Sequence, residues 1–476
     1  MNPADPTSLA IRLHESHPMF REASLAHRRF KHADVQALIK KRLDHPLYTI
    51  TKAGESFEGR PIHMIKVGTG PKTALLWTQM HGDEPTATMA IFDILNFLEA
   101  KGDGFDEIRE QLLANTTLYI VPMLNPDGAE RYQRRTAQEI DMNRDALHLQ
   151  TPEARILKTL QQTLKPDYGF NLHDQSPRYT AGHTPKVATI SFLATAYDYE
   201  RTINPVRERS MKMIVRMNQL LQEFIPGQVA RFSDEHEPRA FGDNIQKWGT
   251  TLVLIESGGY PGDPEKQYIR QLNFVAILCG LAAVADGSVD REDRDEYYQI
   301  PENGRYLFDF LMRNVTLQLN GKTYQTDLGI NRNEVNYANA TQFFYHSVVE
   351  EFGDLSTHFG TEEFDASEYT LENGLVHPVA INSPDEAAAL NPQALWKQGY
   401  TYLTLDNASN VSKIEHLPQP FHIVRNSQEV PPLPPTIENT ATFLLKKGDK
   451  VRYVVVNGYL YDVEKAYQQF GNGIIQ

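Results

Sequence analysis

From about residue 46 to residue 285, short apolar runs alternate with longer stretches in which apolar residues recur every three or four positions. That alternation is expected of buried strands and amphipathic helices, and so of an α/β fold with a mixed, mostly parallel sheet covered by helices on both faces. The runs 74–79, 117–121, 168–172 and 251–255 predict strands, and 86–98, 153–163 and 206–224 predict helices. The first 45 residues, rich in His, Arg, Lys and Leu at helical spacing, predict a helical lead-in. At 290–296 the pattern is broken by Asp-Arg-Glu-Asp-Arg-Asp-Glu, and a charge run of this kind predicts a solvated connector. The expected division is therefore 1–45, 46–289 and 297–476. The last part is β-type, with 315–320 ending at Gly321 and 451–456 followed by Asn457-Gly458. Residues 431–435, Pro-Pro-Leu-Pro-Pro, predict a stiff surface linker.

Length and composition narrow the classes. A chain of 476 residues calls for two or three units, and 41% apolar with 23% charged residues fits globular domains. The net charge of −14 argues against nucleic acid or an anionic membrane as partner, since both need a surplus of Lys and Arg. Cys279 is the single cysteine, so intrachain disulfides and Cys-rich zinc modules are excluded, and any metal must be held by His and carboxylate. The first residues carry no basic segment followed by an apolar run, so a cytoplasmic location is expected.

Four clusters carry chemistry, each at or just beyond a predicted strand end. His81-Gly-Asp-Glu84 precedes Pro85-Thr86, where a helix should begin. Gly82 allows an unusual backbone turn, and His and Glu three apart are suitable zinc ligands. Taken alone, one chance His-x-x-Glu is expected in a chain of this kind. Asn171-Leu-His173-Asp ends the strand that begins near 168, and a third ligand at His173 leaves the fourth tetrahedral position for water. Asn125-Pro-Asp-Gly128 leads to Arg134-Arg135 and Asp141-Met-Asn143-Arg144-Asp. Arginines beside a metal need anionic partners, such as a substrate carboxylate or a developing oxyanion, although a surface salt-bridge loop has the same composition. Finally, 251–255 ends in Glu256-Ser-Gly-Gly. A carboxylate closing a buried apolar strand is costly unless paired or functional, and burial raises its pKa toward the range of a general base.

In this order, His81-x-x-Glu84, the Asn-Pro-Asp-Gly turn at 125, Asp-Met-Asn-Arg at 141, His173 and Glu256-x-Gly258 resemble the zinc metallocarboxypeptidases of carboxypeptidase A type, over roughly residues 45 to 285. The resemblance implies one zinc ion per chain on His81, Glu84 and His173, with Asp141 orienting the first histidine as its outer acceptor. It implies Asn143 and Arg144 as the grip on the substrate's terminal carboxylate, and Arg134 as the oxyanion arginine, with the adjacent Arg135 as the other candidate. The implied reaction is hydrolysis of the C-terminal peptide bond by a metal-activated water, with Glu256 as general base. The partner would be a peptide with a free carboxyl end. One departure is that no tyrosine lies between Tyr199 and Glu256, where the family has a mobile one. Phe241 and Trp248 would suggest an apolar wall for the selectivity pocket.

A second, fainter resemblance covers the C-terminal part. Asn314-Val-Thr-Leu, Asp327-Leu-Gly-Ile, Phe352-Gly-Asp-Leu-Ser, Phe364-Asp-Ala-Ser and 454–458 look like the β-sandwich that flanks the barrel of amidohydrolases, without the barrel. It implies a non-catalytic wall or an assembly surface, with room for a homo-oligomer through this domain. Two other readings compete with the peptidase: an N-acyl amino acid deacylase of aspartoacylase type, and an inactive peptide or cell-wall binding module. The stretch 68–73 lacks the Gly-x4-Gly-Lys spacing and reads as a turn before a strand. His14-x-x-His17 reads as a solvated helix face, and the absence of Gly-x-Ser-x-Gly removes the usual serine-hydrolase reading.

Overall fold

Alternate residues of the central strands face opposite cores, which is why their sequences are apolar throughout. In the computed structural model, Ala74 and Leu76 of one strand join one hydrophobic cluster, while Leu75 and Trp77 join the other. The structure describes residues 6–405, 414–424, 430, 435–467, 470–471 and 473–476. They form two compact units, Met1–Arg305 and Tyr306–Gln476.

The strands of the first unit are β1 (Tyr48–Glu55), β2 (Pro61–Val67), β3 (Lys72–Thr78), β4 (Thr116–Val121), β5 (Tyr168–Asp174), β6 (Thr180–Ala181), β7 (Ile190–Leu193), β8 (Val229–Arg231) and β9 (Thr251–Ser257). Eight of them make one sheet in the order β1-β2-β4-β3-β5-β9-β7-β8, and β6 pairs instead with Asn303–Gly304. The central run β4-β3-β5-β9 is parallel throughout, and antiparallel pairs occur on both sides of it. The helices are α1 (Pro6–Phe20), α2 (His32–Lys40), α3 (Thr86–Glu99), α4 (Asp106–Asn115), α5 (Pro126–Arg131), α6 (Pro152–Leu164), α7 (Pro205–Leu221), α8 (Phe241–Lys247) and α9 (Gln267–Asp286). One face of the sheet packs with α1, α3, α7 and α9, and the other with α6 and α8. Packing against α1, α3, α4 and α7 explains why α9 is apolar on nearly every side.

Two expectations at the edges of this unit need correction. The N-terminal helices are part of its core: His17 is buried against Asp93 at 2.8 Å, and His14 stacks on Phe224, so the pair is not a solvated face. Asp93 also receives two hydrogen bonds from the buried Arg270, which ties α1 to α3 and α9. The charge run at 290–296 is not a free connector either. It folds into two short 3-10 helices, Ser288–Arg291 and Arg294–Gln299, that pack on α7 and bury Tyr297, and the unit ends only at Arg305. Arg216 pairs with Glu292 there, so part of the run's charge is neutralised inside the fold.

The second unit is β-rich. Its larger sheet places Lys322–Tyr337 between Gln342–Gly353 and Leu307–Leu319 and continues through Thr370–Glu372, Phe443–Lys447, Lys450–Val456 and Tyr459–Asp462. A five-stranded sheet includes Tyr400–Thr404, His422–Val424 and Gly473–Ile475. Each sheet has its own apolar cluster, around Phe310, Leu328 and Phe443 in the larger and around Leu403, Phe421 and Ile423 in the smaller. Of the proline-rich stretch, residues 431–434 lie outside the described residues.

Candidate active site

The site begins where β3 ends. Gln79 follows the strand with φ 45°, a left-handed conformation that a non-glycine residue adopts at a cost. The loop is fixed by its neighbour after β4: Asn125 N–H donates to Gln79 O at 2.9 Å, and Asn125 Nδ2 donates to Met80 O at 3.3 Å. Asn125 also caps α5 by accepting from Gly128 N–H at 2.9 Å. The buried Asp127 of the same turn accepts from Ser56 Oγ, Glu58 N–H and Arg60, which holds the turn on the β1–β2 hairpin. Gly82 is not held at positive φ. Its role is space, because a Cβ there would stand 2.0 Å from the carbonyl carbon of Gly128. The Asn-Pro-Asp-Gly turn is therefore the backing on which the His81–Glu84 loop rests.

Three side chains then meet. His81 Nδ1 lies 2.7 Å from Glu84 Oε1, and His173 Nδ1 lies 2.7 Å from Glu84 Oε2. One ligand-capable atom from each of the three residues lies within 4.8 Å of the others, and all three residues are buried. His81 Nε2 is 3.1 Å from Asp141 Oδ1, which fixes the ring so that Nδ1 faces the shared point. These two nitrogens and a carboxylate form a donor set suited to zinc, within the range of small side-chain adjustment. Glu84 bridges the two imidazoles. Burial disfavours its charge, but the two histidines outweigh that and hold its carboxyl well below the usual range. Burial also opposes charge on His81, yet Glu84 and Asp141 push that imidazole up to about 9. His173 moves the other way, because burial outweighs its attraction to Glu84. The difference between the two rings is Asp141.

Asp141 is also a hub for the arginine loop. Its Oδ1 accepts from Asn143 N–H at 2.9 Å, and its Oδ2 from Arg134 Nε at 3.0 Å. Arg134 reaches within 3.3 Å of Glu84 and lines a cavity of about 320 Å³ with His81, Glu84, His173, Asn143, Arg144 and Glu256. Arg135 is not brought to this cavity. It turns away and donates to Glu139 O at 2.9 Å. Of the two arginines, only Arg134 is in reach of the metal-ligand candidates.

Glu256 sits across the ladder from His173, its register partner on β9. Its Oε2 is buried without a hydrogen-bond partner among the described residues. Burial, reinforced by the charge of Glu84, pushes its carboxyl well above the usual value. Arg144 is paired with Glu237 at 3.1 Å, and Asn143 Oδ1 accepts from Phe241 N–H at 2.9 Å. Phe241 itself is buried in the core beneath α8, and neither it nor Trp248 lines the cavity. The residues that line it instead include Leu193, Thr195, Ala240, Gly242 and Leu254. Sequence reasoning missed Glu237, whose relation to Arg144 no spacing reveals, and Tyr179, which lines the cavity from the segment after β5. A search for a tyrosine upstream of Tyr199 would have found the latter.

Residues 36–172 match the zinc carboxypeptidase family. The resemblance read from the motifs is thus borne out over a stretch that holds His81, Glu84, Arg134, Asp141, Asn143 and Arg144 and stops one residue short of His173. Probable carboxypeptidase 2 of Arthroderma benhamiae is 25% identical over 178 residues, 36% of this chain and 31% of that protein. Carboxypeptidase E of Caenorhabditis elegans is 35% identical over 92 residues, 17% of this chain and 19% of that protein. The chain spans about a third or less of the length of these curated relatives. Among solved structures, a metallo-carboxypeptidase from Burkholderia cenocepacia aligns with 54% of this chain and 70% of its own, at 16% identity and a TM-score of 0.45.

Proposed function

We propose that this chain is a zinc-dependent metallocarboxypeptidase that hydrolyses the C-terminal bond of peptides with a free carboxylate. The observation that carries the reading is the convergence of His81, Glu84, His173, Glu256, Arg134, Asn143 and Arg144 on one cavity. When bound by the three ligand candidates, zinc supplies Lewis-acid polarisation and acidifies water. The chain's own residues supply the rest. Arg144 and Asn143 grip the terminal carboxylate, which admits a free chain end and disfavours an amide or an internal bond. Arg134, beside Glu84, faces the oxygen on which negative charge develops. Glu256, with its raised carboxyl, takes a proton from the attacking water and returns it to the leaving amine.

The test is zinc analysis together with hydrolysis of a panel of blocked dipeptides, with their C-terminal amides and N-acyl amino acids as controls. One zinc per chain is expected, with turnover of free acids only. Glu256→Gln should keep its zinc and lose about 10²- to 10⁴-fold in kcat. A zinc-loaded Glu256→Gln variant with full turnover would refute the assignment of the base. Equal cleavage of amides and acids would remove the clamp, and preference for N-acyl amino acids would make the protein a deacylase.

A further inference from the structure

We infer that Lys266 and Asp174 form a positioning clip that sets the third ligand candidate, His173, against the base candidate, Glu256; this rests on the reading proposed above. His173 and Glu256 are register partners on the adjacent strands β5 and β9, and so are the residues that follow them, Asp174 and Ser257. His173 and Glu256 face the cavity; Asp174 also lines it but turns its Oδ2 to Thr86 of α3, while Ser257 turns its Oγ to Asn273 of α9. Both strands end at this point. The backbone adds one more cross-link, Gln175 N–H to Ser257 O at 3.0 Å, and no strand pairing lies beyond it.

Lys266 closes this end from behind. Its ammonium, buried along with the rest of the residue, donates to Asp174 Oδ2 at 3.0 Å and to Ser257 O at 2.9 Å. The same Asp174 oxygen accepts from Thr86 Oγ1 at 2.6 Å, and Thr86 opens α3 two residues after Glu84. One ammonium and one carboxylate thus join the residue after His173, the residue after Glu256 and the helix start just beyond Glu84. A buried ion pair adds little net stability over an apolar substitute, but it holds its members in a defined geometry. Lys266 also takes a left-handed backbone conformation, φ 51°, immediately before α9. Asp263 secures that turn by accepting from Gln267 N–H at 2.7 Å and Tyr268 N–H at 2.9 Å. The strain and the burial both serve to aim one amine at two strand tips.

Lys266 and Asp174 are positioning residues, so their loss should act on turnover and metal retention rather than on substrate affinity. The experiment measures zinc affinity of the full-length chain by chelator competition, and kcat and KM on the best peptide of the panel. Lys266→Met should lower kcat by about 10- to 100-fold and zinc affinity by about 10-fold, with KM within about threefold of the parent. Asp174→Leu, which removes the same link from the other side, should follow it and serves in its place if Lys266→Met does not fold. Asp174→Asn keeps an acceptor for Lys266 and Thr86 and should hold both zinc affinity and kcat within about threefold. The clip is overturned if Lys266→Met and Asp174→Leu lower the thermal midpoint but leave kcat and zinc affinity within twofold, or if KM rises at constant kcat. If the parent cleaves no peptide at all, the proposed function falls, while the zinc-affinity series still decides the clip.

Discussion

Gly82→Ala tests whether the metal-ligand loop depends on the backing of the Asn-Pro-Asp-Gly turn. An alanine Cβ would lie 2.0 Å from the carbonyl carbon of Gly128 and 2.3 Å from the amide nitrogen of Ala129, both backbone atoms that cannot swing aside. Ordinary contact starts near 3.4 Å, so the two segments must separate by about 1.4 Å. The other side is equally tight, because a Cβ on Gly128 would meet Asn125 Nδ2 at 2.5 Å and Arg135 O at 2.7 Å. Overpacking of this kind typically costs about 1–3 kcal/mol. The chemical effect should be larger, since His81 directly precedes Gly82 and zinc tolerates only about ±0.2 Å in ligand distance. A shift approaching 1 Å should weaken zinc by about 10- to 100-fold and lower kcat by about 100-fold. Chelator competition measures the first, steady-state kinetics at saturating zinc the second, and urea unfolding separates both from global stability. If Gly82→Ala binds zinc within twofold of the parent, the turn does not support the loop as argued.

Other consequences are open to measurement. In the metal-free chain the folded-state pKa of His81 lies above its unfolded value, so its contribution is fully present below about pH 6.5 and is lost as pH rises through about 9. The thermal midpoint of the metal-free parent should therefore fall across that window, and His81→Asn should lack this part of the fall. On the proposed reading, Glu237→Gln frees Arg144 from a partner that would compete with the substrate carboxylate. Because both side chains are partly exposed, 39% and 28%, the pair is weak, and KM should drop by no more than about fivefold with kcat unchanged. Asp93→Ala strands the buried Arg270 without its carboxylate and should cost about 3–5 kcal/mol in urea unfolding, with catalysis of the folded fraction intact. An effect below 1 kcal/mol would show that α3 and α9 are not tied through this pair.

The parts of the site that were legible in the sequence are those where a local pattern changes. An apolar strand that runs into His or Glu marks a position where burial and charge conflict: His173 and Glu256 lie at the ends of β5 and β9, and His81 lies in the loop that follows β3. The strand and helix limits followed for the same reason, since periodicity is a property of neighbours in the chain. What could not be read depends on partners far away. His17 looks solvated until Asp93, 76 positions on, and Arg270, 177 beyond that, are folded beside it. Gly82 was legible as special, but its reason, the close approach of Gly128, is tertiary. Choosing between Arg134 and Arg135 required the direction of each side chain, which composition does not carry.

The order of strands in the sheet accounts for the order of chemistry across the cavity. Adjacent strands are about 4.8 Å apart, and two side chains that share a metal need approach no closer than about 3 Å, so tips of neighbouring parallel strands can share an ion with little distortion. Here β3 and β5 are neighbours, and the loop after β3 carries His81 and Glu84 while β5 carries His173. The next strand, β9, carries Glu256, one spacing beyond the ligand candidates on one side. On the other side of β3 lies β4, whose following loop leads to Arg134, Asn143 and Arg144. The parallel run β4-β3-β5-β9 thus brings the ligand candidates and the base candidate to carboxyl ends of strands that all run the same way, while the loop after β4 carries Asn143 to Phe241 and Arg144 to Glu237. The contributing positions are scattered from 81 to 256 in the chain, and the parallel register of β3, β5 and β9 brings the ligand and base candidates together.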